Sequence, residues 1–383
     1  MNFDQISNLI GNENVPKWAI TAQPGHEDVT TLTIADMDFE TPDFILNNLV
    51  PASRVLGYEE PSDQYYDSII NWQKQYHHVS VNKNEIIPLT GVLTGISFAL
   101  QKVTSPNDAV LVFDPVYGPF SMAVNNLNRE LIEFDLTISG DGQYEIDFDK
   151  LKDTLSKQKI RAMIICNPQN PSGHVWTRAD LLKLSELAQQ NNIFMIADEI
   201  HQDLVFEPER YTSLFEIPGV EGYAIVISAP TKTFNMPGVQ SAYMFVKDAF
   251  LRDQIKSLMD DQFISGISTT GVLATTVALT QGKSWHDELM KYLKENRDTI
   301  FELFDGTKIK PMLPQATYLM WLDFSAIGIS DLEIDRKLIN DAKVQLNMGS
   351  QYGQDGTGWF RLNFATSRDQ LVKAVRQIIE VFG

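Results

Sequence analysis

Hydrophobic and polar positions follow two different periods along this chain. Six short runs rich in apolar and β-branched residues occupy its middle: Ala109–Phe113, Glu130–Leu136, Arg161–Cys166, Ile193–Ala197, Ala224–Ser228 and Ala242–Val246. Between several of them the spacing becomes helical, most clearly over Arg178–Asn191 behind the capping residue Thr177. Strands that are apolar on both faces and alternate with helices predict an α/β fold with a mainly parallel sheet covered on both sides. The first 35 residues are polar and lack sustained periodicity, as an arm would. Thr41–Gln75 predicts two helices divided by the turn Gly57-Tyr58-Glu59-Glu60-Pro61. The last third reads as a smaller α+β unit. Ser284–Phe304, Leu332–Lys343 and Ser367–Val381 predict helices there, and Ala316–Asp323, Val344–Met348 and Trp359–Ala365 predict strands. The expected organisation is an arm with part of the small domain at 1–45, a large domain at 46–270 and a small domain at 271–383. No repeat or low-complexity linker divides the chain, so the two domains are expected to share a close interface.

Composition narrows the class. At roughly 150 residues per domain, 383 residues predict two or three domains. With 43% hydrophobic and 21% charged residues the chain is globular. Thirty-one basic against 50 acidic residues give a net charge of −19, which argues against nucleic acid or an anionic membrane as a main partner. No apolar run exceeds five residues, far short of the ~20 that span a bilayer. Asp4 and Glu13 near the start, without a basic stretch or an apolar core, do not resemble a signal peptide. A cytoplasmic protein is expected. The single cysteine, Cys166, excludes an intrachain disulfide and a Cys-based zinc site, and its place in a buried run makes it a core residue. None of the six histidines forms a metal-ligand pair, so no metal is expected. His77-His78 reads as a solvated helix end.

In open parallel sheets, ligands bind beyond the carboxyl ends of the strands. Asn167-Pro168-Gln169-Asn170-Pro171-Ser172-Gly173 follows one run, Asp198-Glu199-Ile200-His201 the next, and Ala229-Pro230-Thr231-Lys232-Thr233-Phe234-Asn235 the one after. Taken singly these are a turn, a strand-end cap and a solvated lysine. Three in succession, each directly behind a buried strand, are improbable as an accident.

One chemistry needs this set. Pyridoxal 5′-phosphate (PLP) requires a lysine to bond its aldehyde carbon and a carboxylate to keep its pyridine nitrogen protonated. It also requires a donor to its ring oxygen O3′, and backbone N–H groups, ideally at a helix start, for its phosphate. Thr90-Gly91-Val92-Leu93-Thr94-Gly95 follows the strand-like Ile86–Leu89 and opens a helix over Ile96–Val103, which is the position of a phosphate cradle.

The order and spacing of Asn-Pro-x-Asn-Pro-Ser-Gly, Asp-Glu-Ile-His and Thr-Lys-Thr-Phe-Asn resemble the fold-type I PLP enzymes of the aspartate aminotransferase superfamily, from about Ile34 to the C-terminus. With Ala35-Asp36-Met37-Asp38-Phe39, the last two motifs resemble the MalY/PatB-type cystathionine β-lyase, or C–S lyase, branch. The resemblance implies PLP-transferase fold type I, with a mainly parallel seven-stranded sheet in the large domain, and a homodimer. Lys232 would carry the cofactor and shuttle protons, and Asp198 would pair with the pyridine nitrogen. Asn170 would donate to O3′, with His201 where many relatives place a tyrosine. Tyr117 would stack on the ring. Gly91, Val92 and Leu93 would bind the phosphate, and Tyr58 would reach it from the neighbouring subunit. Arg361, a charge inside the strand-like Trp359–Ala365, would clamp the substrate α-carboxylate. Asp36 and Asp38 have no assigned role.

The sequence also departs from the superfamily. Ala229 and Gln240 stand where many members carry a serine and a basic residue on the phosphate, which leaves Ser228, Thr231 and backbone groups to do that work. Thr33 stands where the branch often has tryptophan. The expected activity is α,β-elimination from cystathionine- or cysteine-type amino acids, giving pyruvate, ammonia and a thiol. An aminotransferase and a PLP-fold binding protein are the alternatives, the second disfavoured by the intact Lys–Asp–Asn–Arg set.

Overall fold

The computed structural model describes every residue except Met1, Ala52, Ser53, Val55, Leu56, Tyr58 and Ser265. The role expected of Tyr58 therefore lies outside the described residues.

Seven strands form the main sheet: β1 (Ile86–Leu89), β2 (Ala109–Asp114), β3 (Glu130–Asp135), β4 (Ile160–Cys166), β5 (Phe194–Asp198), β6 (Ala224–Ser228) and β7 (Ala242–Phe245). Their order is β1-β7-β6-β5-β4-β2-β3. Strands β2 to β6 pair in parallel, and β7 alone runs antiparallel, against both β6 and β1. The two-residue period of these strands sends alternate side chains into two separate cores. Leu111, Met163, Ile165, Met195 and Val226 enter one. Val110, Val112, Ala162, Ile164, Ile196 and Ile227 enter the other. Each such fully buried aliphatic side chain contributes about 1.5–3 kcal/mol. β3, at one edge of the sheet, shows the opposite pattern, with Phe134 its only buried residue.

Helices pack on both faces. The Arg178–Gln190 helix is capped by Thr177 as expected, and Asp180 completes a capping box with it. The Val92–Val103 helix approaches the sheet closely at Gly95, where a Cβ would lie 2.6 Å from Leu89 Cδ1 and 3.2 Å from Ile227 Cδ1. That glycine serves packing rather than a phosphate cradle.

A second sheet of four strands holds β8 (Lys310–Met312), β9 (Leu319–Asp323), β10 (Asn347–Met348) and β11 (Trp359–Asn363), in the order β8-β9-β11-β10. The run expected as one strand over Val344–Met348 is split. Val344–Gln345 pairs in parallel with Thr30–Thr31 of the arm, and Asn347–Met348 pairs with β11, placing Asn347 opposite Arg361. The first of the two helices expected before residue 75 is a single turn, Asp43–Leu46, and the second spans Asp63–His77. His77 is not a solvated helix end. It is buried, with Nε2 2.6 Å from Asp203 Oδ1, and the same oxygen accepts from Trp72 Nε1 at 2.8 Å. The arm is pinned as well: Phe3 packs against Phe39, Trp285 and Tyr292.

Candidate active site

The C-terminal ends of β1, β2, β4, β5 and β6 open onto one cavity of about 660 Å³. Its lining includes Gly91, Val92, Leu93, Tyr117, Asn170, Asp198, His201, Thr231, Lys232 and Arg361. Residues as distant in sequence as Ile34 and Arg361 thus meet: parallel strands deliver their following loops to one edge of the main sheet, and β11 of the second sheet brings Arg361.

Asp198 ends β5, in register with Cys166 and Ile227. Burial pushes its carboxyl up to about 7, against the pull of the Ile200 N–H, 3.0 Å from Oδ1, and of Lys232. A buried carboxyl in this state gains most from a cationic partner. Lys232 follows β6. Burial pushes its amine down to about 8, with Arg361 and Lys17 acting the same way and Asp36 and Asp198 opposing. Its Nζ donates to the carbonyl of Ala35, which also accepts from the Tyr318 hydroxyl at 3.0 Å. Burial together with the charges of Lys232 and Arg361 pushes His201 down to about 3, so its ring is neutral. Its Nδ1 is buried without a hydrogen-bond partner, and its ring meets Tyr318 edge-on.

Arg361 is 3% exposed, yet no carboxylate pairs with it among the described residues. Nη1 donates to Asn170 Oδ1 at 2.9 Å and Nη2 to Asn347 Oδ1 at 3.0 Å, while Nε is unpartnered. The Tyr352 ring lies 5.0 Å from the guanidinium carbon. A buried cation held by neutral amides and an aromatic face is a site for a ligand anion. Because Oδ1 of Asn170 is engaged, its amide NH₂ remains as a donor. The loop carrying Asn170 depends on Gly173, whose φ is +73° and whose Cβ would lie 2.5 Å from the carbonyl oxygen of Ala316.

The Val92–Val103 helix begins at the cavity with Gly91 as its N-cap and no side-chain capping bond. Its first N–H groups are thus available to an anion. Thr231 and Gln240 also line this wall, as does Ser241, whose hydroxyl bonds that of Thr275. Ser228 does not line the cavity. Its hydroxyl is buried and donates to the Glu199 carbonyl at 3.1 Å, because the last residue of a parallel strand turns its side chain to one face only. Cys166 lines the cavity floor, but burial raises its thiol well above the ordinary value, as befits a core residue.

Several residues at this site were not singled out from sequence: Asn347, Tyr352, Tyr318, Lys17 and Asn235. Asn347 carried a readable signal, a polar amide inside an apolar run. Asn235 lay inside a quoted motif but without a role.

The sequence model of the family described as aminotransferase class I and II matches residues 29–378. The chain belongs to this family. It is 35% identical to cystathionine beta-lyase PatB of Bacillus subtilis, over 99% of both chains. It is 30% identical to protein MalY of Escherichia coli, over 93% of this chain and 92% of that one. Among solved structures, cystalysin from Treponema denticola, which contains a pyridoxal 5′-phosphate cofactor, superposes with a TM-score of 0.92 at 27% identity, covering 99% and 98% of the two chains. No helix among the described residues is long and apolar enough to cross a membrane.

Proposed function

We propose that this family member is a PLP-dependent C–S β-lyase acting on cystathionine- or cysteine-type amino acids. The observation that carries the reading is one cavity holding Lys232, the buried acid Asp198 and the carboxylate-free cation Arg361. The residues present fit PLP. Uncapped N–H groups at Gly91–Leu93 and the Thr231 side of the wall suit its phosphate, Asp198 suits its ring nitrogen, and Asn170 has a free donor for O3′. Tyr117 lines the cavity where it would cover the ring.

Bound PLP supplies an electron-accepting ring that acidifies the Cα–H of an attached amino acid. The chain's own residues do the rest. Arg361 holds the α-carboxylate in its fork, fixing which Cα bond faces the ring. Asp198, as a carboxylate, holds the proton on the ring nitrogen. Lys232, whose amine is already pushed down to about 8, takes the Cα proton at Nζ. The Cβ–S bond then breaks, and its electron pair leaves with sulfur as a thiolate that Lys232 can protonate. Hydrolysis of the remaining three-carbon enamine gives pyruvate and ammonia. Neutral His201 covers this step without competing for the proton.

The reading includes a cytoplasmic homodimer, with Tyr58 completing the phosphate site of the partner. It retains the division near residues 45 and 270, both of which fall within helices (Asp43–Leu46 and Thr269–Gln281), and the pairing of Thr30–Thr31 with Val344–Gln345 supports placing the arm with the small domain. The relatives named as cystathionine beta-lyases support elimination over transamination. Purified protein given cystathionine and no keto acid should release pyruvate over many turnovers. Activity only when a keto acid is added would instead make the chain an aminotransferase.

A further inference from the structure

The segment Ile34–Phe39 reaches the cavity through Ile34 and Ala35 and is tied to three distant parts of the chain. Asn363, two residues beyond Arg361, donates to the carbonyls of Ile34 and Asp36 at 2.7 and 2.6 Å. Asn235, three residues beyond Lys232, accepts from the Met37 N–H at 2.9 Å and donates to the carbonyls of Met37 and Phe39 at 3.1 and 2.6 Å. The third tie comes from the arm. The Lys17 ammonium lies 3.2 Å from Asp36 Oδ1, 2.8 Å from Asp38 Oδ1 and 3.1 Å from the Asp36 carbonyl. Between these ties, one carbonyl faces the cavity: that of Ala35, which accepts from Lys232 Nζ and Tyr318.

Lys17 is 2% exposed and Asp38 1%. Buried ion clusters are generally no more stabilising than packed apolar groups of the same volume. What they add is direction, because the charges hold their partners at fixed angles. Here the direction set is that of the strap beneath Lys232.

We infer that Lys17 is a positioning residue for Lys232: by gripping Asp36 and Asp38 it fixes the strap so that the Ala35 carbonyl receives the lysine amine whenever that amine is free. The inference rests on Lys232 being the reactive lysine of the proposed function. A released amine that swung into the cavity would be mispositioned for the Cα proton, whereas one parked on a fixed carbonyl returns along one path. The groups facing Lys232 are Asp36, Asp198, Arg361, Lys17, neutral His201 and the Tyr318 hydroxyl. Lys17 pairs with the Asp36 carboxylate at 3.2 Å and so limits its pull on Lys232. Without Lys17, Asp36 turns to the amine, which keeps its proton more tightly and leaves the carbonyl. Without Asp38, Lys17 is given wholly to Asp36, and Lys232 keeps its proton less tightly.

The test uses cofactor-free protein, so it is independent of whether the assignment of PLP holds. Lys232 is acylated with a trace of acetic anhydride across a pH series, and peptide mass spectrometry reads its titration midpoint and plateau rate. In Lys17→Met the midpoint should rise by about half a unit or more, roughly threefold in protonation ratio, and the plateau rate should rise as the amine leaves its acceptor. In Asp38→Asn the midpoint should fall, and in Lys17→Arg both quantities should stay at the wild-type values. Charge alone moves the midpoint, since Lys17 is among the cations that push Lys232 down, so positioning is read from the plateau rate: a cluster that is only structural, or acts only through its charge, would leave that rate at the wild-type value in Lys17→Met, and this result overturns the inference. Should Lys17→Met fail to fold, a plateau rate in Asp38→Asn that departs from wild type, against an unchanged Lys17→Arg, decides in its place, and an unchanged rate in Asp38→Asn overturns the inference.

Discussion

At the scale of single residues, the site works through burial that makes charge costly and partners that are withheld. Asp198 is the clearest case. Its carboxyl sits near 7 in the free protein, above the ordinary 3.8. Between those values the folded chain keeps a proton that the unfolded chain has released, so this group's contribution to stability worsens as pH rises. In urea melts of cofactor-free protein, wild type should therefore lose ground to Asp198→Asn from about pH 4 to 7, by up to ~1.4 kcal/mol per pH unit. A pH-independent difference would remove the buried acid. For catalysis, Asp198→Ala should lose most of its activity and Asp198→Glu less, since only a carboxylate keeps the ring nitrogen protonated; equal rates for Asp198→Ala and wild type would take the carboxylate out of the mechanism. Arg361→Lys keeps the charge but not the fork held by Asn170 and Asn347. Loss of a charged hydrogen bond costs about 1.5–3 kcal/mol, so KM should rise roughly ten- to hundredfold with a smaller change in kcat. An unchanged KM would place the substrate carboxylate elsewhere.

Elements were legible where one residue pattern dictates one environment. The runs from Ala109 to Val246 became β2 to β7, and in all of them except β3 burial on both faces leaves no polar alternation to misread. The chemistry at their ends was legible for the same reason, since a buried parallel strand has only one edge to deliver a loop to. Polar groups whose partners lie far off were not legible. His77 reads locally as a solvated helix end, Lys17 and Asn235 carry no local sign of a role, and only the fold brings Asp203, Asp38 and the Met37 backbone against them. Ser228 failed differently. Its position in the sequence was right for a phosphate donor, but strand geometry turned its hydroxyl to Glu199. In the loop after β4, Gly173 has φ +73° and no room for a Cβ, so Gly173→Ala should cost about 1–3 kcal/mol in chemical denaturation. The misplaced loop should also weaken the Asn170–Arg361 contact and raise KM. Wild-type stability in this variant would show that the turn tolerates a side chain.

At the scale of the whole molecule, the arm, the seven-stranded sheet and the four-stranded sheet all contribute to one cavity, through Ala35, Asp198 and Lys232, and Arg361 respectively. The proposed dimer adds Tyr58 from the partner. Loss of its phenol–phosphate bond in Tyr58→Phe should weaken cofactor affinity about ten- to hundredfold. Mixing inactive Lys232→Ala with inactive Tyr58→Ala under subunit exchange should restore activity, since each mixed dimer regains one intact site. No recovery despite proven exchange would mean that Tyr58 acts within its own chain or not at all. The central claim is that the chemistry of this cavity runs on the lysine behind β6. Borohydride converts a cofactor–lysine double bond into a stable amine, so reduction of the PLP-loaded protein followed by peptide mapping reads that claim directly. The pyridoxyl group should be found on Lys232. Its appearance on another residue, or on none, would contradict the account.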